Sequence, residues 1–149
     1  MFSRIINKLK YKFLLAQIKP EIIGYNDFSD KLVPKTGASN MTHISNKKNV
    51  TIGEHVFIGH FNYIDGYNKI TIEEGCQITN YVSILTHSSH HTIRLHGKEM
   101  LPEETSEIGL LTAEVFIGKY SYIGAHSVIM PGSKIGKGMN KDLLAASIS

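Results

Sequence analysis

The chain has 149 residues, one cysteine and a formal net charge of +3. This length fits one globular domain, and a single cysteine excludes a scaffold held by internal disulfides. Hydrophobic residues make up 42% and charged residues 19%, a balance that supplies a core and argues against intrinsic disorder. The small positive charge lacks the basic stripe of a nucleic-acid-binding domain, so no nucleic-acid partner is expected. The unpaired Cys76 suits a reducing compartment, and we expect a cytoplasmic protein.

Residues 1–20 predict an amphipathic helix. Lysines interrupt its apolar residues, so we expect neither a signal peptide nor a membrane span. Two interpretations stay open for residues 1–19: packing on the rest of the protein or on a neighbouring subunit, or peripheral contact with the inner face of an anionic membrane. The apolar residues recur at spacings of three and four and are followed by a proline: Phe2, Ile5, Ile6, Leu9, Phe13, Leu14, Ile18 and Pro20.

From residue 44 onward an aliphatic residue recurs every six positions, often followed by glycine. Such an internal repeat predicts a parallel β-helix over residues 21–149, in which three hexapeptides form one coil. Isoleucines about eighteen residues apart then stack, as Ile117 does on Ile135. Cys76 takes a small inward position, which favours a core residue over a nucleophile. The repeat comprises Ile52, Ile58, Ile64, Ile70, then after a two-residue slip Ile72, Ile78, Ile84, and later Ile117, Ile123, Ile129 and Ile135.

The repeat stops between Ile84 and Ile117, where the chain is polar and rich in histidine. We predict one long loop excursion over about residues 87–114. Excursions of this length from a repeat are typical of functional segments. The histidines in it are His87, His90, His91 and His96.

Two stretches resemble the hexapeptide-repeat acyltransferases, especially the galactoside and maltose O-acetyltransferases. They are ITNYVSILTHSSHHTIR (78–94) and VFIGKYSYIGAHSVIMPGSKIGKG (115–138). The resemblance implies an all-β, single-stranded left-handed parallel β-helix that uses acetyl-CoA and no metal. It also implies a homotrimer with active sites between neighbouring subunits. The expected acceptor is a sugar hydroxyl, in the assembly of a bacterial surface polysaccharide such as lipopolysaccharide or capsule.

The same resemblance places the family's catalytic histidine at His87. A neutral imidazole suits the work of a general base, which takes the acceptor's proton as the thioester carbon is attacked. The group that orients His87 cannot be predicted from the sequence. The resemblance also predicts acceptor-binding residues at His60, Asn62 and Asp65, and cofactor-binding residues at Tyr122, Gly124, Ala125 and Lys141.

Two other functions stay open. His55 and His60 have the H-x4-H spacing of the γ-type carbonic anhydrases, which hold zinc with three histidines. However, their positions in the repeat differ from that family's pair, and no histidine precedes His43. In addition, KIGKG (134–138) runs directly into MNKDLLAASIS (139–149), where the acyltransferases continue with a further coil. This apparently shortened C-terminus is also compatible with a truncated, non-catalytic β-helix protein.

Overall fold

The computed structural model describes residues 2–17, 22–23, 37–97 and 108–141. The helices in these ranges are α1 (Phe2–Gln17), α2 (His90–His96) and a 3-10 turn at Lys47–Asn49. The strands in chain order are β1 (Ile22–Ile23), β2 (Gly37–Ser39), β3 (His43–Ser45), β4 (Val50–Ile52), β5 (Phe57–Ile58), β6 (Tyr63–Asp65), β7 (Ile70–Ile72), β8 (Gln77–Ile78), β9 (Ser83–Ile84), β10 (His87–Ser88), β11 (Leu111–Thr112), β12 (Val115–Ile117), β13 (Tyr122–Ile123), β14 (Val128–Ile129), β15 (Lys134–Ile135) and β16 (Asn140–Lys141).

The fold consists of three stacked sheets with parallel strands, which we call the stack. The first sheet contains β2, β5, β8, β13 and β16, the second β3, β6, β9 and β14, and the third β4, β7, β12 and β15. The chain visits the three sheets in the same order in every turn. β1 extends the first sheet through an antiparallel pair with β2. This architecture is compatible with the predicted parallel β-helix, while its left-handed sense and the domain limits at residues 20 and 21 stay predictions.

Columns of stacked isoleucines form the core. In the second sheet Ile44, Ile64, Ile84 and Ile129 are direct neighbours, and in the third sheet Ile52, Ile72, Ile117 and Ile135 are. The buried members are at most 3% exposed, and burying each isoleucine contributes about 1.5–3 kcal/mol. Cys76 is 0% exposed, as its predicted inward position requires. Burial raises the pKa of its thiol, so the reactive thiolate is disfavoured.

Glycine follows isoleucine in the repeat because neighbouring coils approach closely there. A Cβ on Gly53 would lie 2.6 Å from the backbone nitrogen of Glu74, and a Cβ on Gly118 would lie 2.8 Å from the carbonyl carbon of Gly136. Real Cβ atoms essentially never make such short contacts. At these positions the glycine is required by the stacking of the coils.

The corner between the second and third sheets is longer in the early coils than in the last one. Ile64 and Ile72 are eight positions apart, whereas Ile129 and Ile135 are six apart. Stacked isoleucines are therefore twenty residues apart in the early coils, as Ile52 and Ile72 are, while the predicted spacing of about eighteen holds for Ile117 and Ile135. We refer to residues 66–69, between β6 and β7, as the long corner.

The predicted excursion leaves the stack after β9, at the corner that is lengthened in the coil below. It begins with β10, which pairs antiparallel with β11 so that His87 lies opposite Thr112. The seven-residue helix α2 follows β10. β11 then leads back to β12 in the third sheet. β10 and β11 thus hold the two ends of the excursion together.

Helix α1 spans Phe2–Gln17, inside the segment for which the apolar periodicity predicts a helix, and Ile18 and Pro20 lie outside the described residues. All side chains from Ile5 to Leu14 are exposed. These side chains therefore make no buried contact with the described part of the chain, and both interpretations of residues 1–19 stay predictions. Of the helices in the described part of the chain, none has the length and apolar character needed to cross a bilayer.

Candidate active site

His87 and Asp65 form a hydrogen-bonded pair where the excursion leaves the stack. Asp65 ends β6, and His87 begins β10, one coil further along. His87 Nδ1 lies 2.5 Å from Asp65 Oδ2. The Asp65 side chain is 3% exposed, whereas that of His87 is 36% exposed. We call these two residues the His–Asp pair: its carboxylate is buried, and its imidazole reaches solvent.

Four further hydrogen-bond donors hold the Asp65 carboxylate in place. The Ser45 hydroxyl and the Tyr67 N–H donate to Oδ1, at 3.3 and 3.1 Å. The Thr86 N–H donates to Oδ2 at 3.2 Å, and the Thr86 hydroxyl shares its proton between the Asp65 backbone carbonyl at 2.6 Å and Oδ2 at 3.3 Å. Burial raises the pKa of Asp65, but the hydrogen bonds from His87 and the Thr86 N–H outweigh it, so the pKa lies below its usual value of 3.8. Asp65 is therefore ionised at neutral pH.

An ionised carboxylate accepts hydrogen bonds and cannot donate them. Nδ1 of His87 must therefore be the donor in the His–Asp pair. In the neutral imidazole this leaves Nε2 without a proton and with a free lone pair. The pair thus has the chemistry of a general base whose tautomer is selected by a buried carboxylate.

Tyr67, in the long corner, packs its ring against His87. The ring centroids are 4.7 Å apart, with the planes inclined by 36°, and Tyr67 is 48% exposed. The Asn49 amide donates to the carbonyl oxygens of Gly66 and Tyr67, at 2.8 and 3.3 Å. Sequence reasoning missed Tyr67, although the two-residue slip in the repeat marked the corner that carries it.

The predicted acceptor-binding residues do not lie together at one site in the structure. Asp65 lies at His87, but it contacts the imidazole from the buried side. Asn62 is 3% exposed: its amide nitrogen donates to the Gly59 and Thr79 carbonyls, and its Oδ1 accepts from the Val82 N–H. These bonds link neighbouring coils and favour a structural role.

His60 lies at the corner between the first and second sheets, a different corner from that of His87. Its Nδ1 is 2.6 Å from the Ser39 hydroxyl. The Asn80 side chain accepts a hydrogen bond from the His60 N–H at 2.8 Å. The structure therefore does not bring His60 and His87 to the same corner of the stack.

The predicted cofactor-binding residues lie on and beside the first sheet. Tyr122 is on β13 with its side chain 39% exposed. Gly124 is buried and Ala125 is exposed just beyond that strand. Lys141 ends β16, and its side chain lies outside what the structure describes. Tyr122 and Ala125 are thus accessible from the outer surface of the stack.

The remaining histidines of the excursion lie on α2. His90 Nδ1 is 2.7 Å from the Ser88 hydroxyl, and the rings of His90 and His91 are 4.0 Å apart. Between α2 and β11 lies an open cleft of about 500 Å³ lined by His91, Arg94, Leu95, Gly109, Leu110 and Leu111. Within residues 2–17, 22–23, 37–97 and 108–141, no group of three or more histidine, cysteine or acidic side chains could hold a metal ion.

No protein-family model matches the chain. The chain is similar to a sugar-nucleotide acyltransferase. The dTDP-4-amino-4,6-dideoxy-D-glucose acyltransferase of Escherichia coli is 28% identical over 82 residues. The match covers 55% of this chain and 42% of that protein, so it spans less than half of the relative's length. This similarity agrees with the predicted resemblance to acyltransferases, whereas the galactoside and maltose branch stays a prediction.

Proposed function

We propose that the protein is an acyltransferase that moves an acetyl group from acetyl-CoA to a sugar, with His87 as the general base. The observation that carries this proposal is the His–Asp pair: a buried, ionised carboxylate on Nδ1 leaves Nε2 of a solvent-accessible imidazole free to accept a proton. The similarity to a sugar-nucleotide acyltransferase supports the reaction class.

In the proposed reaction, Nε2 of His87 takes the proton of the acceptor group as that group attacks the thioester carbonyl. The carbon–sulfur bond of the tetrahedral intermediate then breaks. The imidazolium returns its proton to the departing CoA thiolate, and no acyl-enzyme forms. Asp65 stabilises the imidazolium while it carries the extra proton, because water screens the buried carboxylate less than it screens an exposed one.

The acceptor is proposed as a sugar hydroxyl, and a sugar amine is the second candidate. The amine is favoured by one observation, which is that the E. coli relative is named for a 4-amino sugar. Both nucleophiles must lose a proton during acyl transfer, so the His–Asp pair serves either. A direct comparison of hydroxyl and amino acceptors of the same sugar separates the two.

The remaining parts of the proposal rest on the resemblance. The acyl-CoA is placed along Tyr122, Gly124, Ala125 and Lys141, and His60 is kept as an acceptor contact contributed within a homotrimer. A cytoplasmic place in surface-polysaccharide assembly belongs to the same proposal. Asp65 is reassigned from acceptor binding to positioning His87, because its carboxylate is enclosed by hydrogen-bond donors.

The proposal is tested first by calorimetric titration of acetyl-CoA into the 149-residue chain, since cosubstrate binding needs no acceptor. Turnover is then measured with paired hydroxyl and amino sugars. His87→Ala is expected to lower turnover by roughly 10²- to 10⁴-fold, the range for loss of a general base, while acetyl-CoA binding persists.

The matched control is His90→Ala, which removes an exposed imidazole three residues away on α2. We expect this variant to keep its turnover. A loss smaller than tenfold in His87→Ala, or an equal loss in both variants, would remove His87 from the role of base. A folded chain that does not bind acetyl-CoA would favour the non-catalytic alternative.

A further inference from the structure

The outer surface of α1 is apolar on one side and unoccupied by the rest of the described chain. Successive helical residues turn by about 100°, so residues spaced by three and four share a face. All members of this face with described side chains are exposed, from 43% at Ile6 to 65% at Phe13. We call this face the apolar stripe, and it consists of Ile5, Ile6, Leu9 and Phe13.

Lysines border the apolar stripe on both sides. Lys12 flanks one edge and Lys10 the other, and Lys8 lies further around the helix. Residues 1–20 carry five lysines and arginines and no acidic residue, which leaves residues 21–149 with a net charge of −2. The positive charge of this protein is therefore concentrated in the segment that carries the exposed stripe.

A helix with these features needs another surface to pack against in order to be stable. An isolated helix of 16 residues is marginal in water, because tertiary packing supplies most of a helix's stability. Lysines at the edges of a stripe can lay their methylene groups along an apolar phase and keep their ammonium groups in water. That distribution matches the boundary between lipid headgroups and acyl chains, where such helices lie parallel to the membrane.

From this pattern we infer that α1 docks on an anionic phospholipid bilayer, with the apolar stripe inserted at the headgroup boundary and the flanking lysines on lipid phosphates. A second copy of α1 is a poorer occupant, since pairing the stripes would bring the lysines of the two helices together. An anionic bilayer attracts the same lysines. The inference concerns membrane docking alone and holds whether or not the chain transfers acyl groups.

The test is co-sedimentation of the full chain with vesicles of phosphatidylcholine alone or mixed with phosphatidylglycerol. Binding is expected to the mixed vesicles and to weaken as salt rises, because salt screens the lysines. Leu9→Glu places a charge in the centre of the apolar stripe and is expected to weaken binding by about tenfold or more. Asn7→Glu adds the same charge on the opposite face and is the matched control.

A double variant, Lys10→Ala with Lys12→Ala, tests the charge contribution without lowering helix propensity, since alanine is the best helix former. Each lysine removed is expected to weaken binding to the mixed vesicles by about fivefold. Circular dichroism of each variant verifies that the β-fold is retained.

Three outcomes would overturn the inference. One is wild-type binding to the mixed vesicles that is absent or no stronger than binding to phosphatidylcholine. Another is equal binding by Leu9→Glu and Asn7→Glu. The third is that the wild-type chain does not bind vesicles and forms an oligomer that Leu9→Glu dissociates. That result would assign the apolar stripe to a contact between copies of this chain. Because none of these measurements needs acetyl-CoA or an acceptor, they are independent of the proposed activity.

Discussion

The carboxylate of Asp65 decides which nitrogen of His87 carries the proton. With Asp65 ionised and accepting from Nδ1, the neutral ring presents an unprotonated Nε2. Tyr67 adds a ring contact on His87 and a backbone hydrogen bond to Asp65. The long corner therefore supports both members of the His–Asp pair, and a change at any of these three residues is expected to alter the orientation of the imidazole.

Asp65→Asn tests this assignment directly. The asparagine amide can donate to Nδ1, which would move the ring proton to Nε2 and abolish base function in the neutral ring. We expect turnover to fall by roughly 10²- to 10⁴-fold. NMR spectra with long-range proton–nitrogen correlations of the His87 ring should show the change of tautomer without any acceptor present.

Ser45→Ala is the control for Asp65→Asn. It removes one donor to Oδ1 of Asp65 and leaves the contact between Asp65 and His87 intact. Its expected effect on the tautomer is nil. An unchanged His87 tautomer in Asp65→Asn would show that the carboxylate does not select it.

At the scale of the elements, the coils can stack closely because glycine follows isoleucine at the points of approach. Gly118 and Gly136 occupy equivalent places in successive coils, and the Gly118 N–H donates to the Ile135 carbonyl at 2.8 Å. The surroundings of the two glycines differ. Gly118 faces the backbone of the following coil, whereas a Cβ on Gly136 would meet only Met139 Cγ, at 3.8 Å, among the described atoms.

Gly118→Ala should therefore destabilise the protein, because the backbone of the adjacent coil must shift to admit the methyl group. The expected loss is about 1–3 kcal/mol in the free energy of unfolding, as in overpacked cores. Gly136→Ala makes an ordinary contact and should be neutral or slightly stabilising. Urea unfolding of the two variants measures both values, and equal losses would contradict close stacking as the reason for the glycine.

At the scale of the whole molecule, the excursion and the long corner lie at the same edge of the stack. The first and third sheets continue past this edge, where Ile78 is paired with Ile123 and Ile72 with Ile117. The stacked sheets thus supply a framework, and the His–Asp pair depends on one corner where the repeat is lengthened and then interrupted. A buried carboxylate at that corner also links the site to the stability of the fold at low pH.

The pKa of Asp65 is lower in the folded chain than its usual value of 3.8. The unfolded chain therefore takes up this proton first as the pH falls. The stability that Asp65 contributes is complete above its unfolded pKa and is lost as the pH falls through the folded value. We expect Asp65→Asn to flatten the fall in unfolding free energy below pH 3.8, measured by urea titration at several pH values.

Glu54→Gln, which removes an exposed carboxylate, is the control for this measurement. It changes the net charge by the same amount without touching the His–Asp pair. If Glu54→Gln and Asp65→Asn reduce the fall in unfolding free energy at low pH by the same amount, the pH dependence comes from overall charge and not from the His–Asp pair.

The sequence by itself determined the six-residue repeat, the mostly β architecture, the helix at the N-terminus and the long excursion. Each of these features is either a periodic pattern along the chain or an interruption of that pattern. Only the tertiary structure decided that Asp65 serves His87 from the buried side and that Asn62 links coils. Residues 65 and 87 meet through the stacking of coils that are twenty residues long, and this length depends on the two extra residues in the corner between the second and third sheets. Whether a polar side chain faces solvent or backbone at such a corner depends on atoms contributed by other coils, which no local pattern contains.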